Sequence, residues 1–206
     1  SMTAFATDAE PTGGENSGEE TTGPVTTGEQ LVAAFANAND GDTITLGANV
    51  EVNAPINVEK SITLDLGEYT ANFTGDSVIS AQFAFMVGAT GSVATFIITG
   101  TTGKVTSDYG VVSVRSDGSA FELQGGTLVS NKGHTVENYS FGANKTITIS
   151  GGAIESKGGN GALHAGENSK LIVTGGKITA SSAFAAIYAS TGTEVSLKNV
   201  EINTTG

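Results

Sequence analysis

The chain has 206 residues, of which 29 are glycine, three are proline and none is cysteine, and its formal net charge at pH 7 is −12. This length is enough for one well-buried domain. The negative charge argues against nucleic acid and anionic membrane surfaces as partners, because both would repel the chain. No apolar run is long enough for membrane insertion, and disulfides are excluded.

Residues 1–27 are predicted to form a flexible acidic tail. The segment is rich in Gly, Thr and Glu and has too few large apolar side chains to offset the entropy cost of ordering. Ser1-Met2 is typical of a cloning scar, although Met2 as a native start is the alternative. Ala4-Phe5-Ala6 is similar to the small-residue end of a secretory signal. We therefore expect an extracellular protein.

A helix is predicted over residues 28–39. Thr27 and Gln30 have the spacing of a capping box, in which each side chain satisfies a free backbone amide of the first turn. Leu31 and Phe35 lie four positions apart and begin one apolar stripe. Such a helix is suited to covering an apolar end of the structure that follows it, where an unpaired strand edge would otherwise be exposed.

From Asp42 to the last residue, short runs of alternating apolar and polar residues are separated by glycine-rich corners, a pattern that predicts strands. One unit recurs after 24 positions, since its four apolar residues Ile147, Ile149, Ile154 and Leu163 are followed by Leu171, Val173, Ile178 and Ile187. A period in this range is typical of solenoids. We therefore predict an all-β parallel β-helix within residues 28–206, with about six or seven coils and a length of roughly 30 Å at one strand spacing per coil.

The repeats also resemble a known family. The Thr-x-Thr phrase at 43–45, the phrase SITLDL at 61–66, the Gly-Gly turns at 151–152 and 175–176 and the 24-residue spacing resemble the right-handed parallel β-helix proteins of the pectate-lyase-like superfamily. Within it, the chain is similar to the repeat-bearing secreted and surface proteins of bacteria. The resemblance implies a right-handed coil and a bacterial cell-surface location. It does not imply one activity, because this scaffold carries lyases, hydrolases, adhesins, phage fibres and inert stalks.

The residue clusters that the enzymes of this family use are missing from the sequence. Its only arginine, Arg115, lies in the phrase VRSDG, which is typical of a solvated corner, and no Asp follows the Gly-Gly pairs as calcium-binding repeats would require. His134 and His164 are 30 positions apart and so do not occupy equivalent positions of successive coils. We therefore predict no catalytic residue, no cofactor and no metal site.

One row of side chains is the candidate ligand site. If Leu163 points into the core, the next residue, His164, points outward, and matching the repeats places Glu137 and Tyr188 beside it on the two adjacent coils. Tyr139 is expected nearby. An aromatic ring, an imidazole and a carboxylate on a rigid face suit the binding of a sugar by stacking and hydrogen bonds.

These patterns predict a non-enzymatic extracellular module, a rigid β-helical domain for surface display, adhesion or use as a stalk. Its expected partner is a host or cell-wall glycan or a protein. Two alternatives stay open, namely a carbohydrate-binding or carbohydrate-active β-helix protein and a phage virion fibre or decoration protein. The last strand, around Ile202, has no covering helix after it. We therefore expect its edge to continue into further sequence or to form an oligomer contact.

Overall fold

The computed structural model describes residues 23–138, 143–181 and 185–205. Two helices lie in this part of the chain, α1 (Gly28–Asn37) and α2 (Asp76–Ala81). The strands, in chain order, are β1 (Thr43–Thr45), β2 (Val50–Val52), β3 (Ile56–Val58), β4 (Ile62–Asp65), β5 (Thr70–Phe73), β6 (Phe83–Val87), β7 (Thr95–Thr99), β8 (Lys104–Ser107), β9 (Gly110–Val114), β10 (Ala120–Leu123), β11 (Thr127–Ser130), β12 (Val136–Glu137), β13 (Thr146–Ile149), β14 (Ala153–Ser156), β15 (Leu163–Ala165), β16 (Lys170–Val173), β17 (Lys177–Ala180), β18 (Ile187–Ala189), β19 (Glu194–Leu197) and β20 (Glu201–Thr204).

The strands form three parallel sheets that run the length of the molecule. The first sheet has seven strands in the order β1-β4-β7-β10-β13-β16-β19, and the second has seven in the order β2-β5-β8-β11-β14-β17-β20. The third has six, from β3 through β6, β9, β12 and β15 to β18. Each strand from β1 to β17 thus pairs with the strand three places later in the chain. Each coil contributes one strand to each sheet, and the predicted parallel β-helix is confirmed.

The 24-residue repeat corresponds to the strand register. Ile154 is paired with Ile178 in the second sheet, and Leu163 is paired with Ile187 in the third. Along the second sheet the same position continues to Ile202. Because paired residues of a parallel sheet point to the same face, the apolar members of each repeat stack into continuous rows inside the coil.

The N-terminal end of the core is aromatic and is covered by α1. The ring of Phe35 lies 5.5 Å from that of Phe85 and 5.7 Å from that of Phe96, measured between centroids. Phe73 and Phe121 extend this cluster along the coil axis. The helix begins with the predicted capping box. The apolar stripe of α1 therefore closes the first coils, as the sequence predicted.

Glycine is required at the corner between the first and second sheets. Gly152 has φ +72°, and a Cβ atom there would lie 2.4 Å from the carbonyl oxygen of Gly126 on the preceding coil. Gly176, one repeat later, has φ +86°, and a Cβ atom there would lie 2.8 Å from the carbonyl oxygen of Gly152. The Gly-Gly pairs of the repeat therefore allow successive corners to stack at the spacing of the strands.

The two ends of the described structure differ. Val25, within the segment predicted as a tail, is buried and pairs with Leu46, while residues 1–22 lie outside the described part. At the other end Val195, Leu197 and Ile202 are 45%, 42% and 42% exposed, because no described coil covers them. In the described residues neither helix has the length and apolar character needed to cross a membrane.

Candidate functional site

The predicted row of side chains lies on the third sheet. Glu137 of β12 is paired with His164 of β15, which is paired with Tyr188 of β18. The row continues in the other direction to Ser113 of β9, which was not among the residues predicted from the sequence. Tyr139, the fourth predicted residue, lies outside the described residues. The structure thus places three of the predicted side chains on adjacent coils, while their role in binding stays a prediction.

His164 does not lie on an open face, contrary to the sequence prediction. The His164 residue is only 8% exposed. The imidazole lies between two other rings, that of His134 at 4.8 Å and that of Tyr188 at 4.8 Å in an edge-to-face arrangement. Tyr188 itself remains 55% exposed. The row is therefore a partly covered cluster that opens to solvent at Tyr188.

His134 is the residue of this cluster that sequence reasoning missed. It lies in the loop before β12, and the register of that strand places it beside residue 161 of the next coil. Its Nδ1 is 2.9 Å from the carbonyl oxygen of Gly161. Since a carbonyl oxygen can only accept, this ring nitrogen is the donor. The two histidines are far apart in the sequence. The hydrogen bond between His134 and Gly161 nevertheless places the ring of His134 beside that of His164.

Glu137 occupies a polar but poorly solvated position. Its Oε1 accepts a hydrogen bond of 3.2 Å from the Ser113 hydroxyl. Burial raises the pKa of this carboxyl above its ordinary value, against the opposing effects of His134, the Ser113 hydrogen bond, Arg115 and Lys145. Arg115 is half-buried, whereas the sequence predicted a solvated corner. Its charge therefore acts on the cluster.

Lys145 is a second buried cation near Glu137. The residue has no exposed surface. Burial lowers the pKa of its amine, while the charges of Asp117 and Glu137 raise it. The repeat does not predict that Lys145 is buried or that it lies near Glu137, because Lys145 precedes β13 at a corner rather than within a strand. The cluster therefore combines acidic and basic groups in a region with little water.

His164 is neutral at physiological pH. Burial, followed by the charge of His134, lowers the pKa of its imidazole from 6.5 to about 4. A neutral imidazole keeps one nitrogen lone pair, which is what a hydrogen-bond donor or a metal ion requires. One ligand atom each of His134, Glu137 and His164 lies within 4.8 Å of the others. Two imidazoles and a carboxylate at this separation form a candidate site for a transition metal ion.

A groove of about 440 Å³ lies over the histidines. Among its lining residues are His134, Asn160, His164, Glu167, Tyr188 and Ser190. The groove thus offers an aromatic face, an amide, a carboxylate and a hydroxyl to a polar ligand. Its size is in the range of small-molecule sites.

The pairing of the strands shows a parallel β-helix. The chain matches none of the protein-family models, curated proteins and solved structures with which it was compared.

Proposed function

We propose that the chain is a non-enzymatic extracellular structural module, a rigid β-helical domain that acts in surface display, adhesion or as a stalk. We further propose that it belongs to the right-handed β-helices of the pectate-lyase-like superfamily and to a bacterial surface protein. The observation that supports the structural role is the continuity of the three parallel sheets, in which strands of successive coils are paired without a gap from the first coil to the last.

The core supports rigidity as well. Its apolar side chains form one continuous cluster from Val25 to Ala186. Bending the coil or separating two of its turns would break hydrogen bonds between strands in all three sheets. It would also expose the closely packed side chains of the core. A domain of this kind keeps its two ends at a fixed distance. That property suits a spacer which carries a binding element away from a surface.

The sequence supports the proposed location and disfavours one class of partner. The signal-like phrase Ala4-Phe5-Ala6 supports a location outside the cell. A net charge of −12 with only nine Lys and Arg residues disfavours attachment to nucleic acid. The expected partner of the module is a host or cell-wall glycan or a protein.

Antibody labelling of the cells that make the protein tests this function. Antibodies raised against the folded chain are expected to label intact cells and to give little additional signal after permeabilisation. A cytoplasmic protein of the same cells serves as the control and should be labelled only after permeabilisation. Labelling of this chain that also requires permeabilisation would refute an extracellular role.

A second candidate function is glycan binding in the groove over the histidines. It is favoured by Tyr188, whose ring is 55% exposed yet held edge-to-face against His164. A ring fixed in this way is a suitable platform for the apolar face of a sugar. A glycan array should then give hits that Tyr188→Ala abolishes and that Val93→Ala, a change at another exposed apolar residue outside the groove lining, leaves intact. No binding by the parent protein would end this candidate.

A further inference from the structure

We propose that His134, Glu137 and His164 bind one divalent transition metal ion, zinc. One ligand atom from each residue lies within 4.8 Å of the other two. With zinc–ligand bonds of about 2.0–2.2 Å and tetrahedral geometry, two ligands of the same ion are about 3.3–3.6 Å apart. The ligand atoms must therefore move closer together when an ion binds.

The first observation in favour of the site is that two of its ligands are held by outer hydrogen bonds. His134 donates its Nδ1 proton to the carbonyl oxygen of Gly161 over 2.9 Å, which leaves the lone pair of the neutral ring on Nε2. Glu137 accepts the hydroxyl proton of Ser113 over 3.2 Å. Contacts of these two kinds orient the imidazoles and carboxylates of metal sites and fix their tautomers.

The chemistry of the ligands selects the class of ion. Calcium and magnesium take oxygen ligands almost exclusively, so two imidazoles exclude them. Two histidines and one carboxylate are a ligand set that zinc uses, with water at the fourth position. The chain has no cysteine, so thiolate cannot direct the site towards softer ions.

Both access to the site and its position suit a bound ion. The groove of about 440 Å³ is lined by His134 and His164 and gives the ion a path from solvent. Glu137 and His134 belong to one coil and His164 to the next. A bound ion would therefore connect two turns of the β-helix. Binding of the ion does not depend on whether the domain acts as a stalk.

Zinc titration of the untagged, EDTA-treated protein tests the proposal. Calorimetry or competition with a chromogenic chelator should show one zinc ion per chain, and Tm should rise with zinc concentration, because the ion binds the folded state. Cobalt(II) should bind at the same stoichiometry and give a visible absorption band. Absence of zinc binding and of a Tm shift at micromolar zinc would overturn the proposal.

Two variants locate the ion. Glu137→Gln and His134→Gln should each weaken zinc binding at least about tenfold. The matched control is Glu122→Gln, because Glu122 also accepts a serine hydroxyl, that of Ser150 at 3.1 Å, but lies on the first sheet away from the histidines. The control should keep the affinity of the parent protein. Unchanged affinity in both test variants, with circular dichroism in EDTA showing them folded, would also overturn the proposal.

Discussion

The imidazole rings of His134 and His164 lie 4.8 Å apart, although 30 positions of the chain separate the two residues. The paired residues Val136 and Leu163 of these two coils are only 27 positions apart (163 − 136), so the contact is diagonal, from a loop of one coil to a strand of the next. Burial, followed by the charge of the neighbouring His134, disfavours protonation of His164 and lowers its pKa. The protonation of His164 therefore depends on the folded state.

The first prediction is that His164 lowers the stability of the metal-free protein below pH 6.5. The pKa of His164 is about 4 in the folded chain, against 6.5 for an unperturbed imidazole such as that of the unfolded chain. As pH falls from 6.5 towards 4, the unfolded chain takes up a proton that the folded chain does not, so the free energy of unfolding decreases, and the decrease ends below about pH 4. The effect is at most about 3 kcal/mol, and water in the open groove reduces it.

This prediction is checked by urea unfolding and by the chemical shifts of the imidazole protons in EDTA between pH 7 and pH 4. Among the residues that the structure describes, the titratable groups of His134, Glu137 and Tyr188 face His164 or adjoin it in the row. The resonances are assigned with His134→Gln. A His164 midpoint near 6.5 would contradict the predicted burial effect.

The second prediction compares two members of one row of the core. Ile178 is fully buried between Ile154 and Ile202, whereas Ile202, on the last described coil, is 42% exposed. Ile178→Ala should lower the free energy of unfolding by about 2–5 kcal/mol, because it leaves a cavity. Ile202→Ala should cost less than about 1 kcal/mol, because its side chain is already partly in water. Urea midpoints measure both, and equal losses would show that the two positions are not stacked in this way.

The third prediction concerns the glycine corner. Gly152→Ala forces a side chain into a left-handed backbone conformation and against the carbonyl oxygen of Gly126, so we expect a loss of more than about 1 kcal/mol. Gly159 is the matched control, since a Cβ atom there would meet nothing within 4 Å and its φ is not in the left-handed region. Gly159→Ala should change stability by less than about 0.5 kcal/mol. Thermal unfolding of the two variants under identical conditions distinguishes them, and similar Tm values would contradict the close stacking of the corners.

Counting along the sequence was enough to predict the fold and part of the candidate site. Successive strands stack in register, so the pairing of Ile154 with Ile178, and of His164 with Tyr188, follows from a fixed offset of 24 positions. The loops follow no such offset. His134 and Lys145 lie outside strands, and their positions depend on the path of corners whose length varies from coil to coil. His134 covers part of the His164 ring. Because the position of His134 could not be predicted, the sequence predicted an exposed imidazole at His164.

The helix α2 was not predicted from the sequence, for a similar reason. Residues 76–81 lie in the longest and least regular turn, and the chain forms a short helix there with Val78 buried. A six-residue helix has too few positions to establish a period of 3.6. Its apolar residues resemble those of the neighbouring strands in type. The alternation of apolar and polar residues therefore predicts correctly that Val78 lies in the core, but it does not predict that Val78 belongs to a helix.

The fourth prediction tests whether α1 closes the core. Phe35 is 5% exposed, and its ring packs on those of Phe85 and Phe96. Phe35→Ala should lower the free energy of unfolding by about 3–5 kcal/mol and should open the first coils to solvent. Val32→Ala, at a partly buried position of the same helix, should cost clearly less.

Hydrogen exchange measured by mass spectrometry distinguishes local opening from a general loss of stability. In Phe35→Ala, faster exchange should be concentrated in β1 to β3, which contact α1, and in β6, whose Phe85 packs on Phe35. Strands β13 to β17 should retain the protection of the parent protein, since their own neighbours on both sides are unchanged. Uniform loss of protection along all three sheets would instead mean that the coils unfold as one cooperative unit, so that the helix stabilises the whole rod rather than its first turns.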